Sequence, residues 1–353
     1  MLTADTGQST PYSAIGLDGL KCAIDAYLDA FYMPDGDAGF FRDVAGGDQL
    51  DKEHFWRFAE MIEVVEDAYD RTLDTRYALI VHKLCAGFRL LYTDDWSWNK
   101  FNDDVMWASI AFLRAAKQTG DKRLADCACH NFETVWDRAF DDALGGGLWW
   151  TTENSSKNAC VNGPASIAAS LLYLDKYGDR FKTKAQIAYD WLARELFDAP
   201  SGRVLDHIDA DESVDDKVWS YNLGTFVGAG ALLDAIGSEG DRQTACRLAM
   251  RCAVGKLTGQ HGTGVLDDEY NDTNRNGDSP GFKGIFTRWA GWFIRASDDA
   301  FGTEWLQLNA RAAWESRNSA GISWGRWKSP TPEAGVNSFE CSSSLALWIS
   351  SFR

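Results

Sequence analysis

The chain is short of positive charge: Lys+Arg 35 stand against Asp+Glu 52, a formal net charge of −17 over 353 residues. Such a surface does not neutralise phosphates, which argues against a nucleic-acid partner. It is equally unsuited to anionic lipid. Long apolar runs are missing too. No stretch approaches the roughly 20 residues of a membrane span. The N-terminus "MLTADTGQSTPYS" has no basic region followed by an apolar one, so no signal peptide is visible. That favours the cytoplasm for the chain as it stands, and the outside of the cell if a leader has been removed. Histidine is scarce, with five at 54, 82, 130, 207 and 261, and none shows metal-ligand spacing. No G-x-S-x-G elbow, P-loop or dinucleotide fingerprint occurs. A neutral polymer such as a glycan suits the charge better than any of the excluded partners.

Two further features carry little chemistry. The eight cysteines, at 22, 85, 127, 129, 160, 246, 252 and 341, are scattered through helical patterns. They form neither a zinc array nor a small disulfide scaffold. Most are expected as reduced core residues, with one or two bridges left open. The stretch "DTNRNG" at 272–277 opens like a calcium loop, but its twelfth position is Lys283 where a bidentate Glu is required. A polar turn is the default there.

Tryptophan, by contrast, is abundant at 16 residues. Surplus Trp often lines sites for flat, partly apolar ligands, including sugar faces, although core packing accounts for most of them singly. A repeat is visible in the turns. "TGDKRL" at 119–124, "YGDRF" at 177–181 and "EGDRQT" at 239–244 are alike, with "FGTEW" at 301–305 a weaker echo and "LDTRY" at 73–77 a member without glycine. Gly120, Gly178, Gly240 and Gly302 are 58, 62 and 62 residues apart, the fixed period of a repeat architecture. Each turn joins two helical patterns. Met106, Ile110 and Leu113, for example, have the spacing of a buried helical stripe. Helices near 15–33 and 337–351 bring the total to about twelve, with no alternating strand set beyond short pieces such as "GGGLWW" at 145–150.

Twelve helices in six hairpins predict an all-α, (α/α)6 toroid over residues 1–353 as a single domain. The even-numbered helices are apolar nearly all round, as inner helices should be. Gly224, Gly228 and Gly230 weaken the eighth helix by roughly 1 kcal/mol each and are expected to permit close helix contact. The long loops and the inner-helix N-termini then gather at one end of the ring, the natural place for a site.

At that end lies "WSWNKFNDDVMWAS", residues 96–109, where Asp103 and Asp104 open the fourth helix among aromatics. Six Asp–Asp pairs occur in the chain, so the pair alone means little. Asn102 or Asp103 could be the N-cap, and acids in a first turn favour the helix dipole. Trp107 shares a face with Asp103 and Ala108 with Asp104. Other inner-helix starts and the loop at 145–150 contribute Trp149, Trp150, Asn158, Asn162, Trp219, Tyr221, Asn222, Lys283 and Arg288. Asn162 could instead cap the helix ahead of Pro164. Together they make a mouth of aromatics, amides and carboxylates, a mixture that fits carbohydrate.

The motifs "FNDDVMWASIAFLRAAKQTGDKRL", "LGGGLWW", "KNACVNGPASIAASLLY", "VWSYNLGTFVGA" and "FKGIFTRW", in this order, resemble glycoside hydrolase family 76, the endo-α-1,6-mannanase family with an (α/α)6 fold. The resemblance covers nearly the whole chain. It implies a retaining hydrolase of α-mannan, with Asp103 as nucleophile and Asp104 as acid/base, and with Asn102, Trp107 and the residues above as substrate contacts. No cofactor and no metal are expected. The expected partner is an α-linked oligo- or polysaccharide, and the expected state a monomer. Many members carry two tryptophans after the acidic pair, and here Trp107 is followed by Ala108. A transglycosylase of the same family and a hydrolase of another α-1,6-linked glycan, such as a glucan, remain alternatives. A non-catalytic glycan-binding protein would not need both aspartates.

An adjacent pair suits retention, which places the carboxyl groups roughly 5–5.5 Å apart against about 6.5–9.5 Å for inversion. Asp104 must then hold a proton. Its charged neighbour and the aromatic surround favour that, whereas the helix N-terminus opposes it.

Overall fold

The computed structural model describes residues 16–47, 54–238, 240–258, 264–271, 273 and 277–352. Among these, twelve α-helices follow one another: α1 Leu17–Phe31, α2 Phe55–Thr72, α3 Thr75–Tyr92, α4 Asn102–Thr119, α5 Lys122–Ala139, α6 Ala159–Leu174, α7 Arg180–Glu195, α8 Ser220–Ala235, α9 Gln243–Lys256, α10 Phe282–Ser297, α11 Ala300–Glu315 and α12 Ser338–Ser351. The even-numbered helices touch in order, α2 to α4, α4 to α6, α6 to α8, α8 to α10 and α10 to α12, and α12 closes on α2. The odd-numbered helices pack outside this ring. The fold is an (α/α)6 barrel, as the turn repeat predicted.

The split between inner and outer helices follows from burial. In α8 every residue from Asn222 to Leu233 is buried, whereas α5 buries only a stripe that includes Leu124, Ala128, Phe132 and Val135. Inner helices have neighbours on all sides and must be apolar or internally paired, while outer helices need only one apolar face. The α8 glycines permit the close contact expected of them. A Cβ on Gly224 would lie 2.6 Å from Phe286 Cα, and one on Gly228 2.6 Å from the Trp289 ring.

The tight turns lie where the repeat placed them, with one correction. Gly120, Gly178 and Gly240 take positive φ (75°, 117° and 125°), and in the member without glycine Leu73 takes φ 54°. Gly302, however, lies inside α11 and is no turn glycine; Asp298, at φ 49°, makes the left-handed step between α10 and α11. Gly302 instead packs closely on Ile294, where a Cβ would lie 2.6 Å from Cγ1.

The long loops carry only small hairpins. β1 (Tyr32–Asp35) pairs with β2 (Ala38–Phe41), β3 (Ser156–Asn158) with β6 (His207–Asp209) and β6 with β7 (Val214–Asp215), and β4 (Phe197–Asp198) with β5 (Arg203–Val204). The 145–150 stretch forms isolated bridges, Phe140 to Leu148 and Trp149 to Lys157. None of the eight cysteines is in a disulfide, and six of them are buried. No helix among the described residues is long and apolar enough to cross a membrane.

Candidate active site

α4 begins immediately after Phe101, an extended residue whose side chain offers no capping bond. This corrects the expectation that Asn102 or Asp103 caps the helix. Asn102 is fully buried and acts as a joint: its Nδ2 donates to the Trp149 carbonyl (2.8 Å), and its Oδ1 accepts from Arg138 Nε (2.8 Å). With no cap beneath them, Asp103 and Asp104 project from the first turn into a cavity of about 540 Å³. Its walls include His54, Phe55, Tyr92, Trp98, Asn99, Trp150 and Asp278.

Both carboxyls are pushed above the usual carboxylate range. Burial, and then the Asp104 charge, raise Asp103 well up; its Oδ1 accepts no hydrogen bond. Burial raises Asp104 to about 7, with the Asp278 charge adding to it, while the amide of Asn99 donates to its Oδ2 (3.0 Å) and pulls the other way. Among the described residues no cation is bonded to either aspartate, and burial favours the protonated form of both. A third carboxylate faces them across the cavity. Asp278 is fixed by Arg57 Nε and Nη2 (2.9 and 2.8 Å) and by Trp56 Nε1 (3.2 Å), all on its Oδ1.

Aromatic rings line the surrounding helix starts. Trp107 lies 6.3 Å from Trp56 and 6.4 Å from Tyr221; Tyr221 stacks on Phe282 at 4.0 Å, and Trp219 meets Phe282 edge-on at 5.3 Å. Burial raises the Tyr221 phenol well up, and the charges of Cys160, Asp206 and Asp103 add to this. Trp98, 58% exposed, stands at the cavity mouth against Tyr92 and Phe55. Trp150 lines the cavity beside Phe101.

Several predicted contacts have their polar groups engaged elsewhere. Asn162 lies inside α6, not at its start, and so caps nothing; its amide holds both main-chain groups of Leu148. Trp149 is buried, with its Nε1 on Asp141 (2.8 Å) and Lys157 Nζ over its ring. Lys157 in turn donates to Asp141, Ala143, Gly146 and Gly147, which shapes the glycine-rich loop. Asn158 Oδ1 accepts from Ser156, and Asn222 Nδ2 donates to Asp206 (2.9 Å). Lys283 is buried on Asp268 (3.0 Å) under the Trp327 ring, outside the cavity.

Arg288 is the clearest displacement. It lies deep in the ring, with Nε on Asp67 (2.6 Å) and Nη1 on Glu60 (2.5 Å). The expectations from sequence did not include Trp98, Asp278, Asn99 or His54 as wall residues. Trp98 and Asn99 do lie within the aromatic stretch before the acidic pair, which is the one signal that could have found them.

One group of metal-ligating types gathers among the described residues, Asp206, His207 and Asp215. It is knit internally, His207 Nδ1 to Asp206 Oδ2 at 2.9 Å. The calcium-like stretch 272–277 lies largely outside the described residues.

The family model for glycosyl hydrolase family 76 matches residues 25–351. The chain belongs to this family. It is therefore a glycoside hydrolase. Among solved structures it is similar to the α-1,6-mannanase GH76A of Salegentibacter sp. HEL1_6, at 28% identity and TM-score 0.84, over 95% of this chain and 98% of that one. That structure is of an inactive variant, with two successive aspartates changed to asparagine, in complex with α-1,6-mannotriose. A family 76 mannosidase of Bacteroides thetaiotaomicron VPI-5482 shares the fold at 15% identity and TM-score 0.75, over 94% and 96%. Dfg5 from Chaetomium thermophilum does so at 17% and 0.74, over 98% and 92%. No curated protein matches the chain.

Proposed function

We propose that this hydrolase cleaves α-1,6-mannosidic linkages within α-mannan, with retention, through Asp103 and Asp104. The observation that carries the reading is a pair of carboxyls, bonded to no cation, at the start of an inner helix in an aromatic-walled cavity. Its likeness to the Salegentibacter mannanase supports the substrate.

In the first step Asp103 attacks the anomeric carbon while Asp104 gives its proton to the departing glycosidic oxygen. A glycosyl ester forms on Asp103 and the shorter glycan leaves. Asp104, now ionised, takes a proton from water, which displaces Asp103 from the sugar and restores both groups. Two inversions leave the configuration unchanged.

The pair fits this division of labour in one respect and resists it in another. The raised value of Asp104 keeps its proton available at neutral pH. Burial and the Asp104 charge also hold Asp103 toward its protonated form, and it must be ionised to attack. Substrate binding must therefore favour the charged form of Asp103 as it meets the anomeric centre. Trp98 and Trp150 offer ring faces for sugar C–H surfaces, and Asp278 in the cavity wall offers a carboxylate acceptor for hydroxyls.

Digestion of unbranched α-1,6-mannan and α-1,6-glucan in parallel tests the reading. Internal cleavage of the mannan, with α-configured reducing ends appearing first, is expected. Preferential glucan cleavage overturns the substrate, β-configured first products overturn retention, and longer linkages in place of reducing ends indicate transglycosylation.

A further inference from the structure

The inner helices run from the aspartate mouth to the opposite end of the barrel, and their C-termini enclose a second cavity, of about 590 Å³. α2 and α4 border both cavities. Asp104 and Lys117 are thirteen residues apart on α4, so the two sites are separated by about 20 Å at 1.5 Å per residue. The second cavity is unlike the first. Trp292, Leu171, Leu174 and Ile349 supply apolar wall; Arg71, Arg114, Lys117, Arg288 and Arg295 bring positive charge against the three carboxylates Asp67, Asp70 and Asp175.

Asp67 and Asp70 favour the Arg71 charge, Asp67 favours that of Arg295, and Lys117 acts on Asp175. Among the described residues, however, Arg71, Lys117 and Arg295 form no ion pair with any of these carboxylates, whereas Asp67 and Asp70 are bonded to Arg114. Arg71 Nε is buried with no hydrogen-bond partner, as is Oε1 of the neighbouring Gln118. Arg295 spends one donor, Nη1, on the Ser350 carbonyl at the end of α12 (3.1 Å). Capping of helix ends explains that bond, but it does not explain Arg71, which makes none. Arg71 and Arg295 also repel each other. Burial, and next the Arg71 charge, bring Arg295 down to about 10. Like charges held together around a cavity are relieved by an anion between them, and guanidinium forks suit phosphate and carboxylate oxygens. The indole of Trp292 beside them suits the C–H face of a sugar ring.

We propose that this cavity is a second ligand site, for a saccharide bearing an anionic group, with Arg71, Arg295 and Lys117 on the anion and Trp292 against the ring. The site is separate from hydrolysis, so its occupancy does not depend on the substrate assigned to Asp103 and Asp104.

Titration calorimetry on the full chain tests the proposal, with mannose 6-phosphate, glucuronate, mannose and inorganic phosphate as probes. Mannose 6-phosphate or glucuronate is expected to bind more tightly than mannose or phosphate. Arg71→Gln or Arg295→Gln is expected to weaken that binding by about tenfold or more, the loss of a charge-assisted contact. Glycan hydrolysis by these variants should be unchanged. Lys117→Gln, an exposed position with no bonded partner, gives the same reading if either arginine variant folds poorly. Three results overturn the proposal: no binding of either anionic sugar up to about 10 mM, a concentration covering weak sites; equal binding by the variants and the parent; or inorganic phosphate binding as tightly as the anionic sugars.

Discussion

The barrel buries two sets of carboxyls, and they differ in what faces them. At the start of α4, Asp103 and Asp104 have one amide and no cation. Deeper in the ring, α2 presents Glu60, Glu63, Glu66 and Asp67 to Arg114 of α4 and Arg288 of α10. Burial raises groups in both sets: Asp104 to about 7 and Glu60 to about 8, with Asp103 and Glu66 well up. A perturbed carboxyl is therefore no mark of a catalytic one in this molecule. The difference lies in cations. The α4 pair opens on a cavity that a sugar can enter. The α2 set is clamped by two guanidiniums, which together with Asp67 line the second cavity, and these hold Asp67 below its ordinary value despite its burial. Four carboxylates against two arginines would leave excess negative charge in the barrel axis, and the protons retained on Glu66 and Glu60 reduce it.

Substitution should separate the two sets. The largest effect is expected from Asp104→Asn, with turnover on mannan falling by ~10²–10⁴, as for loss of a general acid. Its thermal melting should stay close to the parent's, and calorimetric glycan binding should persist. Arg288→Met should do the opposite. It strands Glu60 and Asp67, which costs ~3–5 kcal/mol by the precedent of broken buried pairs, to be read in urea unfolding. KM of the folded fraction should not move. A raised KM at unchanged stability would return Arg288 to the substrate site.

The pH dependences differ as well. Glu60 and Glu66 titrate above their unfolded values. Their contribution to stability is complete at low pH, below the unfolded value of about 4.5. It is lost as pH rises through the folded value, about 8 for Glu60. Melting temperature should fall across that interval, and Glu66→Gln should flatten the fall. Activity follows the other set. The basic limb of kcat/KM should lie near 7, where Asp104 loses its proton. Asn99→Ala removes a bond to the charged form and should move that limb upward. Asp278→Asn removes a repelling charge and should move it down. A limb that ignores both substitutions would detach Asp104 from the acid role. The smallest effect is expected from Trp98→Ala, a several-fold rise in KM for loss of about 1 kcal/mol of stacking.

These contrasts also show what was legible in the chain. Turn spacing and helical periodicity carried the barrel, because each short turn must reverse the chain between an all-round apolar helix and a one-sided one. The acidic pair was legible because "WSWNKFNDDVMW" sets carboxylates among rings that would otherwise be packed dry. Depth was not legible. Arg288 and Lys283 follow an inner-helix start by a few residues, and periodicity gives a face without saying how far down the axis it lies. The amides of Asn102 and Asn162 looked free because their partners, main-chain groups of the 148–149 loop, leave no mark in sequence. Asp278 was missed for a similar reason: it reaches the site through Arg57 and Trp56, more than 220 residues away in the chain.

The central claim rests on Asp103. Hydrolysis of α-1,6-mannan by Asp103→Asn, measured beside its melting temperature and its affinity for an α-1,6-mannooligosaccharide, tests it most directly. Turnover is predicted to fall by at least ~10³-fold, the scale for loss of a covalent nucleophile, with folding and binding kept. Near-normal turnover in a folded Asp103→Asn protein would contradict the account.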